Sequence, residues 1–159
     1  MAGTHISYTL DTSGWRRELR DHIARLENHE PFLRSVGEEI LASVQDRFKT
    51  ETGPDGRRWA TLAPRTIESR LKKYGNAPIT ILRASGQLAG SINYQASGKT
   101  LTIGTGPEVE DYAAIHQFGG KAGSGLKSDI PARPFLGIND ENEAEIKIMV
   151  SDYLLKVSK

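Results

Sequence analysis

The strongest constraint on this chain is a long apolar stripe at helical spacing. Leu33, Val36, Ile40, Leu41, Val44 and Phe48 fall on one face of a 3.6-residue period. The pattern predicts a helix from about Pro31 to about Thr50, with Pro31 in the first turn, where its missing N–H costs nothing. A stripe of this length must be covered, so the rest of the chain has to supply a complementary apolar surface. Trp15, Leu19, Ile23 and Leu26 repeat the helical spacing upstream, behind the capping cluster Asp11-Thr12-Ser13-Gly14. The two helices are expected as an antiparallel pair or as a bent, near-continuous element. Ahead of them, "HISYTLD" alternates Ile6, Tyr8 and Leu10 with polar residues, the period of a half-buried strand.

Gly53-Pro54-Asp55-Gly56 ends the helical region with turn chemistry. Trp59 and Leu62 return to apolar surface, and Pro64 opens a short basic helix, Arg65 to about Lys73. "ILRASGQLAGSI" reads as an apolar segment followed by a helical turn around Ser85–Ala89. "SINYQA" and "TLTIGT", joined by Ser97-Gly98-Lys99, form a hairpin with Ile92, Tyr94 and Ala96 on one face and Leu101 and Ile103 across from them. "EDYAAIHQFGG" predicts a short helix with Tyr112, Ile115 and Phe118 inward, stopped by Gly119 and Gly120. The glycine-rich stretch Gly119–Asp129 reads as a poorly ordered loop. "IPARPFLGI", with Pro131 and Pro134, is barred from a central strand and is expected as an edge strand or an extended arm. Asn139 caps a last helix with a buried stripe of Ile146, Met149, Val150, Tyr153, Leu154 and Val157. The expected class is α+β: a small, mainly antiparallel sheet with a hairpin at about 91–105, packed against one long helical element and a C-terminal helix.

A chain of 159 residues suggests one domain, 1–159, and can bury roughly 70% of its unfolded surface without staples. It has no cysteine, which removes disulfides, thiolate metal sites and cysteine nucleophiles together. No apolar run approaches the roughly 18 residues of a membrane span, and no basic-then-apolar leader opens the chain. Twenty-one Lys and Arg against 20 Asp and Glu leave a net charge of +1, too balanced for a strong nonspecific nucleic-acid binder. The charges are uneven, however: basic residues crowd into Arg16–Arg25 and Arg57–Lys73, and acidic ones into Asp140–Glu145.

The chemical signals are incomplete. Gly120 and Gly125 have the spacing of a phosphate loop, but Leu126 intrudes before Lys127-Ser128 and Pro131 blocks the helix such a loop needs. His116 has no orienting acid at helical spacing and no nucleophile elbow, so packing at a helix end is the favoured reading over general-base catalysis. The histidines His5, His22, His29 and His116 show no metal-binding pair. Glu108, Glu110 and Asp111, like Asp140, Glu141 and Glu143, lie where acids favour a helix dipole. No cofactor is expected. The basic run Arg57, Arg58, Arg65, Arg70, Lys72 and Lys73 is either a solvated face or a contact for DNA phosphates or an acidic partner.

Four blocks in order carry a resemblance. They are "GPDGRRWATLAPRTIESR", "ILRASGQLAGSI", "LTIGTGPEVEDYAAIHQFGG" and "IPARPFLGI". The chain resembles the virion morphogenesis, or tail completion, proteins of Mu-like and related tailed phages, over about Phe48 to the C-terminus. Residues 1–50 are read from periodicity alone. The resemblance implies a non-enzymatic structural protein of the phage neck or tail end. It implies homo-oligomeric rings, six members being one option, other neck or tail proteins as partners, contact with DNA passing through the ring, and no membrane. It places the protein in the virion after assembly in the bacterial cytoplasm. On this reading Gly119, Gly120, Lys121, Lys127, Arg133 and Phe135 are candidate contacts to a neighbour. The alternative is a DNA-binding accessory protein using the Arg57–Lys73 face.

Overall fold

The computed structural model describes residues 13–75, 79–123, 125 and 128–157. Two helices lead, α1 (Ser13–Glu27) and α2 (Glu30–Thr50), broken only at Asn28 and His29. Of the two expected arrangements, the near-continuous one holds: α1 lies against the C-terminal helix instead of folding back on α2. The alternating segment Ile6–Leu10 lies outside the described residues. Pro31 sits in the first turn of α2, and Glu51 closes the helix in the left-handed region.

The glycine-proline turn follows. Asp55 Oδ1 accepts the Arg57 amide at 3.1 Å, and Gly53 N–H donates to Arg57 O at 2.8 Å. Next come α3 (Pro64–Tyr74), α4 (Gln87–Ser91) and the hairpin β1 (Ile92–Ser97) and β2 (Thr100–Thr105). The register pairs Ile92 with Thr105, Tyr94 with Ile103 and Ala96 with Leu101, as the alternation requires. The turn is tighter than expected, because Ser97 already pairs with Thr100. Gly98 takes positive φ at its first central position. The hairpin lies across α2, and Gly37 of α2 faces the Tyr94 ring.

A 3-10 turn, Pro107–Val109, leads into α5 (Glu110–Phe118). Of the stretch Gly119–Asp129, Ser124, Leu126 and Lys127 lie outside the described residues, and its two ends pair. Gly120–Ala122 (β3) and Ser128–Ile130 (β4) pair as a second antiparallel ribbon, with Lys121 opposite Asp129. The strands therefore make two separate ribbons among the described residues, not one sheet. After an extended arm, α6 (Asp140–Val157) closes the fold against α2 and α1. Asn139 caps it as expected: Asn139 Oδ1 accepts Asn142 N at 2.8 Å, and Asn142 Oδ1 accepts Asn139 N at 3.3 Å.

The core gathers where α2 meets the arm. Val44, Phe48 and Phe135 are fully buried, and Phe48 stacks against Trp59 and Phe135 at 5.4 and 5.5 Å between ring centres. Two expected inward stripes need correction. In α5, Tyr112 and Phe118 are 45% and 79% exposed, while Ala113 is buried and Ile115 half-buried. In α6, Ile146, Met149 and Tyr153 turn inward but Val150 and Leu154 face out, and the side chain of Val157 lies outside the described residues. Both helices lie at the periphery, so a narrower face suffices than the apolar spacing allows.

Candidate functional site

The arm Pro131–Gly137 joins no sheet, yet its middle, from Arg133 to Leu136, is buried or half-buried, so the backbone groups there need other partners. Side chains and one helix end supply them. Arg133 N–H donates to His116 O at 2.7 Å. Trp59 Nε1 donates to Pro134 O at 2.8 Å. Gln117 Oε1 accepts both Phe135 N and Leu136 N at 3.0 Å, and its Nε2 donates to Leu136 O at 2.9 Å. Arg47 Nη1 donates to Phe135 O at 3.1 Å and Gly137 O at 2.7 Å, while its Nη2 reaches Asn142 Oδ1 at 2.9 Å. Asn142 thereby ties the arm, α2 and the cap of α6 together.

The arm runs between two clefts. At its start a cleft of about 460 Å³ lies among α3, α5 and β4, lined by Thr66, Arg70, Tyr112, His116, Asp129 and Arg133, among others. Arg133 is 4% exposed and donates through Nε and Nη2 to Ala60 O and Thr61 O, at 2.7 and 2.9 Å. Arg70 Nη1 donates to Thr80 O at 2.6 Å. His116 stands edge-on to Tyr112 with ring centres 4.4 Å apart. Its Nδ1 is buried with no hydrogen-bond partner. Burial, then the charges of Arg133 and Arg70, lower its pKa to about 4, so the ring is neutral at pH 7. With the proton on Nε2, Nδ1 presents only a lone pair, the cheaper group to leave unmatched. In a Ser-His-Asp arrangement that nitrogen is held by an acid, and Asp129, on the cleft wall, does not bond it.

At the arm's other end lies a broader groove of about 1080 Å³ between α2, the Gly53–Gly56 turn and the start of α6. Its walls carry Glu39, Asp46, Asp55, Asp140, Glu141 and Glu145, and its one cation, Arg47, is buried and hydrogen-bonded. Asp46 pairs with Lys49 and Asp55 with Arg57; the other four carboxylates have no ion pair among the described residues. Ile138, on the rim, is 56% exposed. Among the described residues no three His, Asp or Glu side chains converge as a metal site.

The expected site residues therefore separate. Arg133 and Phe135, expected at a neighbour's surface, are both buried within the subunit and committed to its own arm and core. Gly119 and Gly120 open the ribbon, Lys121 is exposed on it, and Lys127 lies outside the described residues. In the basic run, Arg70 turns inward to Thr80, while Arg57, paired with Asp55, and Arg58, Arg65, Lys72 and Lys73 are exposed. Gln117 and Arg47 were missed as key residues. The signal for them was a polar side chain on the inward face of an apolar helix.

Residues 10–155 match the phage virion morphogenesis family. The chain belongs to that family. The match reaches further toward the N-terminus than the motif blocks, which begin near Phe48, and so takes in α1 and α2. Among relatives of this virion morphogenesis protein, "Mu-like prophage FluMu G protein 2" of Haemophilus influenzae is 33% identical over 84% of each chain. "Mu-like prophage FluMu G protein 1" of the same organism is 26% identical over 98% of this chain and 99% of its own. "Putative capsid assembly protein G" of Escherichia phage Mu is 30% identical over 79% of this chain and 80% of its own. No solved structure gives a significant match. Among the described residues, no helix is long and apolar enough to cross a membrane.

Proposed function

We propose that this virion morphogenesis protein is a non-enzymatic structural component of the phage neck or tail end. It acts as a homo-oligomeric ring that completes the tail or joins head to tail, assembled in the host cytoplasm and carried into the virion. One observation carries the reading. Among the described residues helix α3 has no fully buried side chain, only the half-buried Thr66, Ile67 and Arg70, and it presents Leu71 and Tyr74, at 44% and 46% exposure, beside the exposed Arg65, Lys72 and Lys73. A helix of that kind is built to meet a partner. The family and the capsid-assembly name of the phage Mu relative agree with assembly as the role. The histidine a hydrolase would use lacks its orienting acid.

Electron microscopy of particles from a clean deletion tests this. The expected result is DNA-filled heads and tails that fail to join, or tails with abnormal ends. Normal infectious yield overturns it. The exposed Arg58, Arg65, Lys72 and Lys73 favour one second reading, contact with DNA phosphates, and it predicts DNA affinity that falls steeply with salt.

A further inference from the structure

Helix α3 and the acidic groove are opposites in charge, and each carries exposed charges that have no ion pair among the described residues. α3 carries Arg65, Arg70, Lys72 and Lys73 against a single acid, Glu68. The groove carries Glu39, Asp140, Glu141 and Glu145, which have no ion pair among the described residues, and the exposed Ile138. Each surface thus sets exposed apolar side chains beside charges mainly of one sign. Hydrophobic contact gives such surfaces their adhesion, and charge gives them their register.

Their placement sets the geometry. Pro131 and Arg133 line the cleft that α3 borders, while Ile138 and Asn139, at the arm's far end, line the groove. The cleft and the groove share no lining residue and lie toward opposite ends of the arm. Where one such pair forms each interface, the contact is heterologous, with one face of a subunit meeting a different face of the next. Contacts of that type close into rings or run on as filaments; they do not stop at two-fold dimers.

We infer that α3 of one subunit docks into the acidic groove of a second copy of the same chain, with Lys72 and Lys73 facing the Glu141–Glu145 turn of α6 and Leu71 and Tyr74 against Ile138. This inference rests on the assembly reading and names the two faces it requires. It also assigns the acid-rich first turns of α6 a role beyond favouring the helix dipole.

The test is a charge swap read by analytical ultracentrifugation of the full chain. One variant carries Lys72→Glu with Lys73→Glu, the other Glu141→Lys with Glu145→Lys. Each alone should self-associate about 100-fold more weakly than the native protein, because like charges now face each other. An equimolar mixture should regain association, since each variant supplies the face the other lacks. That recovery also shows that both variants fold. Native self-association should weaken about tenfold between ~50 mM and ~500 mM salt.

Three outcomes overturn the inference. If the native chain oligomerises and neither variant alters it, another face makes the ring, and the assembly reading stands. If both variants weaken association and the mixture does not recover, the two faces do not meet each other. If the native chain stays monomeric and binds duplex DNA through Lys72 and Lys73, α3 is a nucleic-acid face, and the assembly reading fails with it.

Discussion

Gln117 holds Leu136 by both ends of its amide: Oε1 accepts the Leu136 N–H at 3.0 Å and Nε2 donates to the Leu136 carbonyl at 2.9 Å. This is the pairing a neighbouring strand would give, supplied by one side chain. It lets an arm with two prolines lie inside the fold without joining a sheet. The same Oε1 takes the Phe135 N–H, so a single residue matches three backbone groups.

Gln117→Met keeps the volume of the side chain and removes all three bonds. The groups left behind are buried and unmatched, which costs about 2–4 kcal/mol in total. Urea unfolding should show the midpoint drop with an unchanged slope. A loss under ~0.5 kcal/mol would mean that water replaces the amide and that the arm is not sealed.

Arg47 performs the same service from α2, with one guanidinium spanning Phe135 O, Gly137 O and Asn142 Oδ1. Lysine keeps the charge but lacks the planar fork. Arg47→Lys is therefore expected to destabilise by about 2–4 kcal/mol, close to Arg47→Met. Equal stability of Arg47→Lys and the native chain in thermal unfolding would show that charge, not geometry, is what the site needs.

The neutral state of His116 has a pH signature. Its folded pKa, about 4, lies below the ordinary 6.5. As pH falls below 6.5, the unfolded chain takes up a proton at this residue before the folded one does, so stability is lost progressively down to about 4. Above 6.5 the contribution is complete. The groups facing the ring, Arg70, Arg133, Tyr112 and Asp129, stay in place in His116→Gln, so the difference between the two melting curves isolates the histidine. The variant should lose less melting temperature across that window. Parallel curves would show that His116 protonates in the folded protein. His116→Ala should abolish no chemical turnover; a cell-wall or ester hydrolase activity lost with it would refute the assembly reading.

Much of this was legible beforehand, and the reasons differ by element. The stripe of α2, the hairpin and the Asn139 cap follow from periodicity and local chemistry, which depend only on near neighbours in sequence. The double-proline arm was readable as extended, because proline excludes the alternatives. Its burial was not. Arg133 between two prolines looks like an exposed hook until Ala60 and Thr61 place their carbonyls beside it, a meeting of residues more than seventy positions apart. Phe118 misled for the complementary reason. A large apolar residue is assumed to be inside, and here Ala113 is buried and Gln117 bonds the arm while Phe118 stays out.

Gly37 offers the last test, at the contact between α2 and the hairpin. An alanine at an exposed position inside a helix usually stabilises relative to glycine by about 1 kcal/mol. At Gly37 the added Cβ would run into the Tyr94 ring, at Cγ, Cδ2 and Cε2. The ring has limited room to retreat: Tyr94 pairs with Ile103 in the register, and its hydroxyl donates to Glu38 Oε1 at 3.2 Å. Gly37→Ala should therefore destabilise by about 1–3 kcal/mol, reversing the usual sign. In Gly37→Ala combined with Tyr94→Ala the clash is gone, so the second substitution should cost far less than it does in the native background. A double-mutant cycle by urea unfolding measures that coupling. Strict additivity, or a stabilising Gly37→Ala, would show that the hairpin does not lie on α2 at this point.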